Sequence, residues 1–302
     1  MIIRPRPTIL NLFIIARGSI LPSILPRLTL VFALSLMIVG GHRWLPKVVG
    51  AFDGAPFALV GIALSVFLGS RNSACYDRWW EGRKAWGLFF VAARSLARKS
   101  LILREAALRA RLLSMTIAFG HAMVTHLRPS YGLDRVRAAL PAELHAAFAA
   151  SRNGPDMILR AMAADLAAEL RAGRLTDIEW QALDAELRTM SEMQSACERI
   201  RMTPVPFGYT LLLHRTAFIF CLLLPFGFVE VLGWATPLAS TLVAYAIFGL
   251  DALGDELERP FAMIASALPI ASIAETIEIN LREALGETDL PPLPVAVDYL
   301  LM

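Results

Sequence analysis

Three carboxylates, Asp251, Asp255 and Glu258, fall four and then three residues apart in the stretch FGLDALGDELERPF (248–261). That spacing puts them on one helix face. Carboxylates stacked just beyond an apolar run suit two kinds of chemistry: contact with ions along a pathway, or pairing with the arginines of another helix. Pairing is the preferred reading, because the stretch RNSACYDRWWEGRK (71–84) supplies the arginines. Catalytic chemistry has little to stand on. His121 and His126 are five residues apart, which misses the four-residue step by which a helix presents two metal ligands, and no paired carboxylate accompanies them. His214 and Arg215, in LLLHRT, are expected to pair near a membrane interface. There is no Ser, His and Asp arrangement, no nucleophile elbow and no glycine-rich phosphate loop. Cys75, Cys197 and Cys221 lack CxxC spacing, so neither a disulfide framework nor a zinc site is expected. The chain reads as a non-enzyme with no catalytic residues, no metal and no cofactor.

A second set of residues repeats at helical spacing. Ile62, Val66 and Ser70 lie four residues apart, preceded by Ala58 and followed by Ser73 and Asp77. The stripe turns from apolar to small and polar along its length. Such a face packs on neighbouring helices, or, where several copies surround an axis, lines a narrow apolar constriction that opens into a hydrated vestibule.

The elements that carry these residues belong to a membrane protein. Of 302 residues, 56% are hydrophobic and 18% charged, and the mean hydropathy is +0.55, more apolar surface than one soluble core buries. A net charge of +3 with scattered Lys and Arg gives no footprint for nucleic acid. Four spans are expected: Leu28 to Leu45, a second from Pro56 past Leu68, Gly208 to Trp234, and Pro237 to Leu253. The apolar run from Leu28 to Val39 has no small-residue cleavage pattern and reads as a retained span. Arg4, Arg6, Arg17 and Arg27 precede the first span, and Arg71, Arg78, Arg83 and Lys84 follow the second. By the positive-inside rule both termini and the long middle segment are cytoplasmic, against the opposing charges of Arg43 and Lys47. The expected organisation is a cytoplasmic N-terminal segment (1–27), transmembrane helices 1 and 2 (28–69), a cytoplasmic helical domain (70–205), transmembrane helices 3 and 4 (206–256), and a cytoplasmic C-terminal helix and tail (257–302).

The middle domain shows apolar residues at Leu183, Leu187, Met190 and Met193, an amphipathic helix pattern, with breaks at Pro129, Pro141, 151–155 and Gly173. ASIAETIEINLREALGE gives a further amphipathic helix. The second span has no turn residue at its end. A helix that continues out of the bilayer into a helical domain needs none, and Arg78, Trp79 and Trp80 suit an interfacial anchor there.

Four stretches, FLGSRNSACYDRWWEGRKAWG (67–87), TPVPFGYTLLLHRT (203–216), FGLDALGDELERPF (248–261) and ETIEINLREALGETDLP (275–291), resemble the bacterial branch of the bestrophin family of pentameric ion channels. The resemblance implies an all-α membrane protein, four transmembrane helices per subunit continuing into a cytoplasmic helical domain, assembled as a homopentamer around a central pore in a bacterial inner membrane. It implies a pore neck at Ile62, Val66 and Ser70 and a cytoplasmic aperture at Ile178, in TDIEW. Relatives usually carry a bulky aromatic residue at the position of Ser70, so the inner end of this neck is expected to be wider and wetter. Glu81, Asp255 and Glu258 are expected to pair across helices. Family members from animals bind calcium in an acidic run just beyond this point. Here FAMIASALPIASIAE (261–275) holds no such run, so no calcium clasp is expected. The same stretch departs from bacterial relatives at Ala262 and at Ser266–Ala267. The implied partners are further copies of the chain, the lipid bilayer and monovalent ions. Passive conduction of anions, chiefly chloride, is the leading expectation. A sodium-selective channel of the same fold and a non-conducting membrane assembly protein are the alternatives.

Overall fold

The computed structural model describes residues 1–4, 8, 15, 18–44 and 50–301. Arg6, Arg17, Leu45 and Lys47, which enter the reading of orientation and of the first span's end, lie outside the described residues. Among the described residues there are ten α-helices and no strand beyond isolated bridges. They are α1 (Leu21–Trp44), α2 (Gly54–Lys99), α3 (Ala106–Leu127), α4 (Asp134–Ala139), α5 (His145–Ala150), α6 (Gly154–Arg171), α7 (Asp177–Met202), α8 (Phe207–Leu232), α9 (Thr236–Leu257) and α10 (Ile270–Ala284). The chain divides into two compact units. One comprises Pro5–Arg78 and Pro204–Arg259, and the other Met1–Arg4, Trp79–Thr203 and Pro260–Met302.

The first unit contains the membrane-type helices. Three helical segments, Leu21–Trp44, Gly54–Ile102 and Phe207–Leu257, are long and apolar enough to cross a bilayer. Within the third, Gly233 at φ +50° and a short 3-10 turn separate α8 from α9. A left-handed backbone there suits glycine, and Pro237 in the first turn of α9 supplies no N–H that a helix start would leave unsatisfied. Pro26 and Pro225 sit inside α1 and α8, where packing in an apolar bundle tolerates them. The core is built from Ile24, Leu28 and Val31 of α1, Leu64 and Leu68 of α2, Leu213, Phe220 and Leu224 of α8, and Ala244, Ile247 and Phe248 of α9.

The second unit packs around a different core. On α2 Trp86 meets Phe89 edge-to-face, with ring centroids 6.1 Å apart, and Phe89 in turn meets Phe119 of α3 at 5.4 Å. Leu183, Leu187, Met190 and Met193 of α7 are all buried, as their spacing predicts. The helix breaks fall where proline and glycine place them, after Leu127, Ala139, Ala150 and Arg171. α2 is a single helix of 46 residues, so no turn follows the apolar run with which it begins.

Candidate functional site

α2 has two faces of opposite character. Leu64, Leu68, Arg71 and Cys75 are buried at steps of four, three and four, while Ala58, Ile62, Val66, Ser70, Ser73 and Asp77 line the exposed side. Ile62 and Val66 are 64% and 61% exposed in the single chain. The Ser70 hydroxyl donates to the Val66 carbonyl of its own helix at 3.0 Å, which leaves its lone pairs outward. Ile178 is placed by a capping box: Thr176 Oγ1 accepts from the Glu179 N–H at 3.3 Å, and Glu179 Oε2 accepts from the Thr176 N–H at 2.8 Å. This starts α7 abruptly and leaves Ile178, in its first turn, 79% exposed.

Behind the exposed face of α2 lies a charge cluster. Arg71 is fully buried, and its Nη1 donates to Asp251 Oδ1 at 3.2 Å and to the Asp251 carbonyl at 3.3 Å. Its Nη2 donates to Asp255 and, at 3.4 Å, to Glu258 Oε2. Asp251, 1% exposed, also approaches His214 Nδ1 at 2.7 Å and Arg27 Nη1 at 3.5 Å. A buried charge persists only when it is paired and hydrogen-bonded, and this one is met from α1, α2 and α8 at once. His214, Asp251 and Asp255 present ligand atoms within 4.8 Å of one another, a spacing that suits a metal. The two carboxylates already accept from arginines, Asp251 from Arg27 and Arg71 and Asp255 from Arg71, so their charge is met by protein cations. Gly254 permits the approach: a Cβ there would lie 2.5 Å from Asn72 Oδ1 and 3.1 Å from Arg71 Nη1.

The residues of the RWW stretch separate. Arg78 is half-buried and Trp80 exposed. Trp79, in the other unit, donates its indole N–H to the Ser266 carbonyl at 3.0 Å, so this ring is tied to protein backbone. Glu81 pairs with Arg199 of α7. Asp255 and Glu258 meet at Arg71.

Two features escape sequence reasoning. The arginines of 71–84 are expected to meet the acidic face without one being singled out; the steps from Leu64 and Leu68 to Arg71 are the signal that it is the buried one. Arg128 gives no local signal. It is 4% exposed and meets no carboxylate among the described residues, donating instead to the carbonyls of Phe261, Ala262 and Leu268 at 2.7, 3.2 and 2.6 Å. Burial lowers its pKa to about 10, which leaves it charged at neutral pH. The cation draws together the carbonyls of the segment before α10, that of Ala262 among them. Nearby, His121 is buried between Glu278 Oε2, 2.8 Å away, and the Tyr131 hydroxyl, 3.2 Å away. The hydrogen bond from His121 holds the Glu278 carboxyl below its ordinary range, and burial raises Tyr131 to about 12.

Comparison with known proteins agrees with this architecture. The family model for the Bacterial/Fungal Bestrophin protein matches residues 1–283. A voltage-dependent anion channel-forming protein of Mesorhizobium japonicum is 44% identical over 99% of this chain and 97% of its own. The voltage-dependent anion channel-forming protein YneE of Escherichia coli K12 is 37% identical over 96% of each chain. A crystal structure of a bacterial bestrophin homologue from Klebsiella pneumoniae superposes with a TM-score of 0.84 at 36% identity, covering 88% of this chain and 99% of that one. The chain is a membrane protein, and it belongs to the bacterial and fungal bestrophin family.

Proposed function

We propose that this chain is the subunit of a homopentameric channel that passes small monovalent anions, chloride among them, passively across a bacterial inner membrane. Four spans cross the bilayer, α1, the first part of α2, α8 and α9, with both termini cytoplasmic. The observation that carries the reading is the exposed stripe of Ile62 and Val66 on a helix whose opposite face is buried. Symmetry turns that stripe into a ring of apolar side chains, which conducts or dewets according to its width. Ser70 widens the inner end, and Ile178 forms the cytoplasmic aperture. Anions are favoured because the carboxylates of Asp251, Asp255 and Glu258 are engaged by Arg71, Arg27 and His214, and offer no free acidic ring. The names of the relatives from Mesorhizobium and Escherichia point the same way.

Asp77 supports a second reading. It is exposed, shares the face of Ile62 and Val66, and its copies around an axis would make an acidic ring that selects cations. The reversal potential of purified protein in a planar bilayer under a sodium chloride gradient separates the two. Reversal near the chloride potential is expected. Reversal near the sodium potential, abolished by Asp77→Asn, would establish the cation channel. Absence of current from intact pentamers would favour a non-conducting assembly protein.

A further inference from the structure

Arg215 is a charge in the membrane-type unit that the carboxylate cluster does not absorb. It lies eight residues into α8, about 12 Å from the start of the helix at 1.5 Å per residue. It is exposed and has no carboxylate partner among the described residues. An arginine at this depth in an apolar helix calls for an anion or a route to water. Arg215 and Arg27 line one pocket of about 430 Å³ together with His214, Phe218, Ile219 and Phe248. Asp255 also reaches the pocket, but its carboxylate is already held by Arg71 and faces His214. Arg27 keeps only a 3.5 Å contact with Asp251, lies 5.7 Å from the centre of the Phe248 ring, and is 43% exposed, so its remaining donors are free to turn into the pocket. Ile219 is shared with a second depression of about 360 Å³, whose walls include Phe57, Val60 and Leu223 and are almost wholly apolar. A cationic head pocket thus continues into an apolar groove along α8.

We propose that this composite site binds an anionic phospholipid, its phosphate on Arg215 and Arg27 and one acyl chain laid past Ile219 toward Phe57, Val60 and Leu223. Guanidinium forks match phosphate oxygens in paired hydrogen bonds, and basic pockets between membrane helices at headgroup level take anionic lipid heads. A free anion would satisfy the arginines and leave the groove unfilled. A second copy of the chain would have to bring a carboxylate to Arg215. The inference requires that α8 lie in a bilayer, and it holds whether or not the assembly conducts.

Native mass spectrometry of the purified full-length protein, titrated with phosphatidylglycerol or phosphatidylcholine of matched chains, tests it. Phosphatidylglycerol should bind roughly tenfold or more tightly than phosphatidylcholine, and Arg215→Gln should cut that preference by about fivefold. Ile219→Trp, which fills the groove and leaves both arginines, should weaken phosphatidylglycerol binding, and it decides the matter if Arg215→Gln fails to fold. Inorganic phosphate should not displace the lipid. Equal binding of the two lipids, an unchanged preference in Arg215→Gln, unchanged binding in Ile219→Trp, or displacement by inorganic phosphate would each overturn the proposal. Loss of the oligomer in Arg215→Gln would also overturn it, by assigning Arg215 to a neighbouring subunit.

Discussion

Arg71 shows how one residue ties the apparent surface of a helix to its interior. Its guanidinium is fully buried, and Asp251 beside it is 1% exposed, so removing the cation strands a carboxylate in a poorly solvated site. Arg71→Met should therefore destabilise the protein by about 3–5 kcal/mol, the usual cost of breaking a buried pair. Thermal or denaturant unfolding of the detergent-purified protein measures it, and combining Arg71→Met with Asp251→Leu should recover part of the loss. A cost under about 1 kcal/mol would mean that His214 and Arg27 alone satisfy Asp251. Five residues away on another face of the same helix the logic is steric. Val66 is 61% exposed, so a phenylalanine there projects toward the proposed axis. Val66→Phe should lower single-channel conductance or alter selectivity. Unchanged currents would place the neck at another turn of α2.

At the scale of elements, the pattern of apolar spacing was enough to locate most helices, because burial alone fixes where Leu183, Leu187, Met190 and Met193 must face. The capping box at Thr176 and the glycine after α8 are local chemistry and can be read from a few residues. The Arg128 clamp cannot, since its partners are carbonyls at positions 261, 262 and 268, more than a hundred residues away, and a carbonyl has no residue type to recognise. A shorter separation, 31 residues, hides the fit of α2 against α3, where a Cβ on Gly120 would lie 2.8 Å from Phe89 Cε1. Gly120→Ala should cost about 1–3 kcal/mol by overpacking, read as a lowered melting temperature, unless Phe89 swings clear. α10 carries a pH-dependent contribution. The folded-state pKa of Glu278 is depressed by its hydrogen bond from His121, so the stabilisation is present above the ordinary value of 4.5 and is lost as pH falls through the folded one. Glu278→Gln should flatten the acid limb of a stability profile; an identical limb would mean that other carboxylates govern acid unfolding.

For the whole molecule, the single chain leaves exposed what a stable assembly must cover or wet. Ile62 and Val66 form an exposed apolar line, and Ile178 is an isoleucine 79% exposed at the start of a well-capped helix. The proposed closed ring would account for both, because cyclic symmetry brings the same residue of every subunit to one axis. That makes the number of subunits countable by conduction as well as by mass. Co-expressed wild-type and Val66→Phe chains, each distinguishable by a tag, should assemble at random, and each phenylalanine should narrow the same ring by one side chain. A ring of n subunits then yields n + 1 compositions, and a pentamer yields six. Purifying mixed assemblies by tag ratio and recording them singly should give conductance levels that fall stepwise with the number of variant chains. Levels that collapse to two, wild-type and blocked, would instead mean that one phenylalanine closes the neck by itself, and levels independent of composition would remove Val66 from the conduction path altogether.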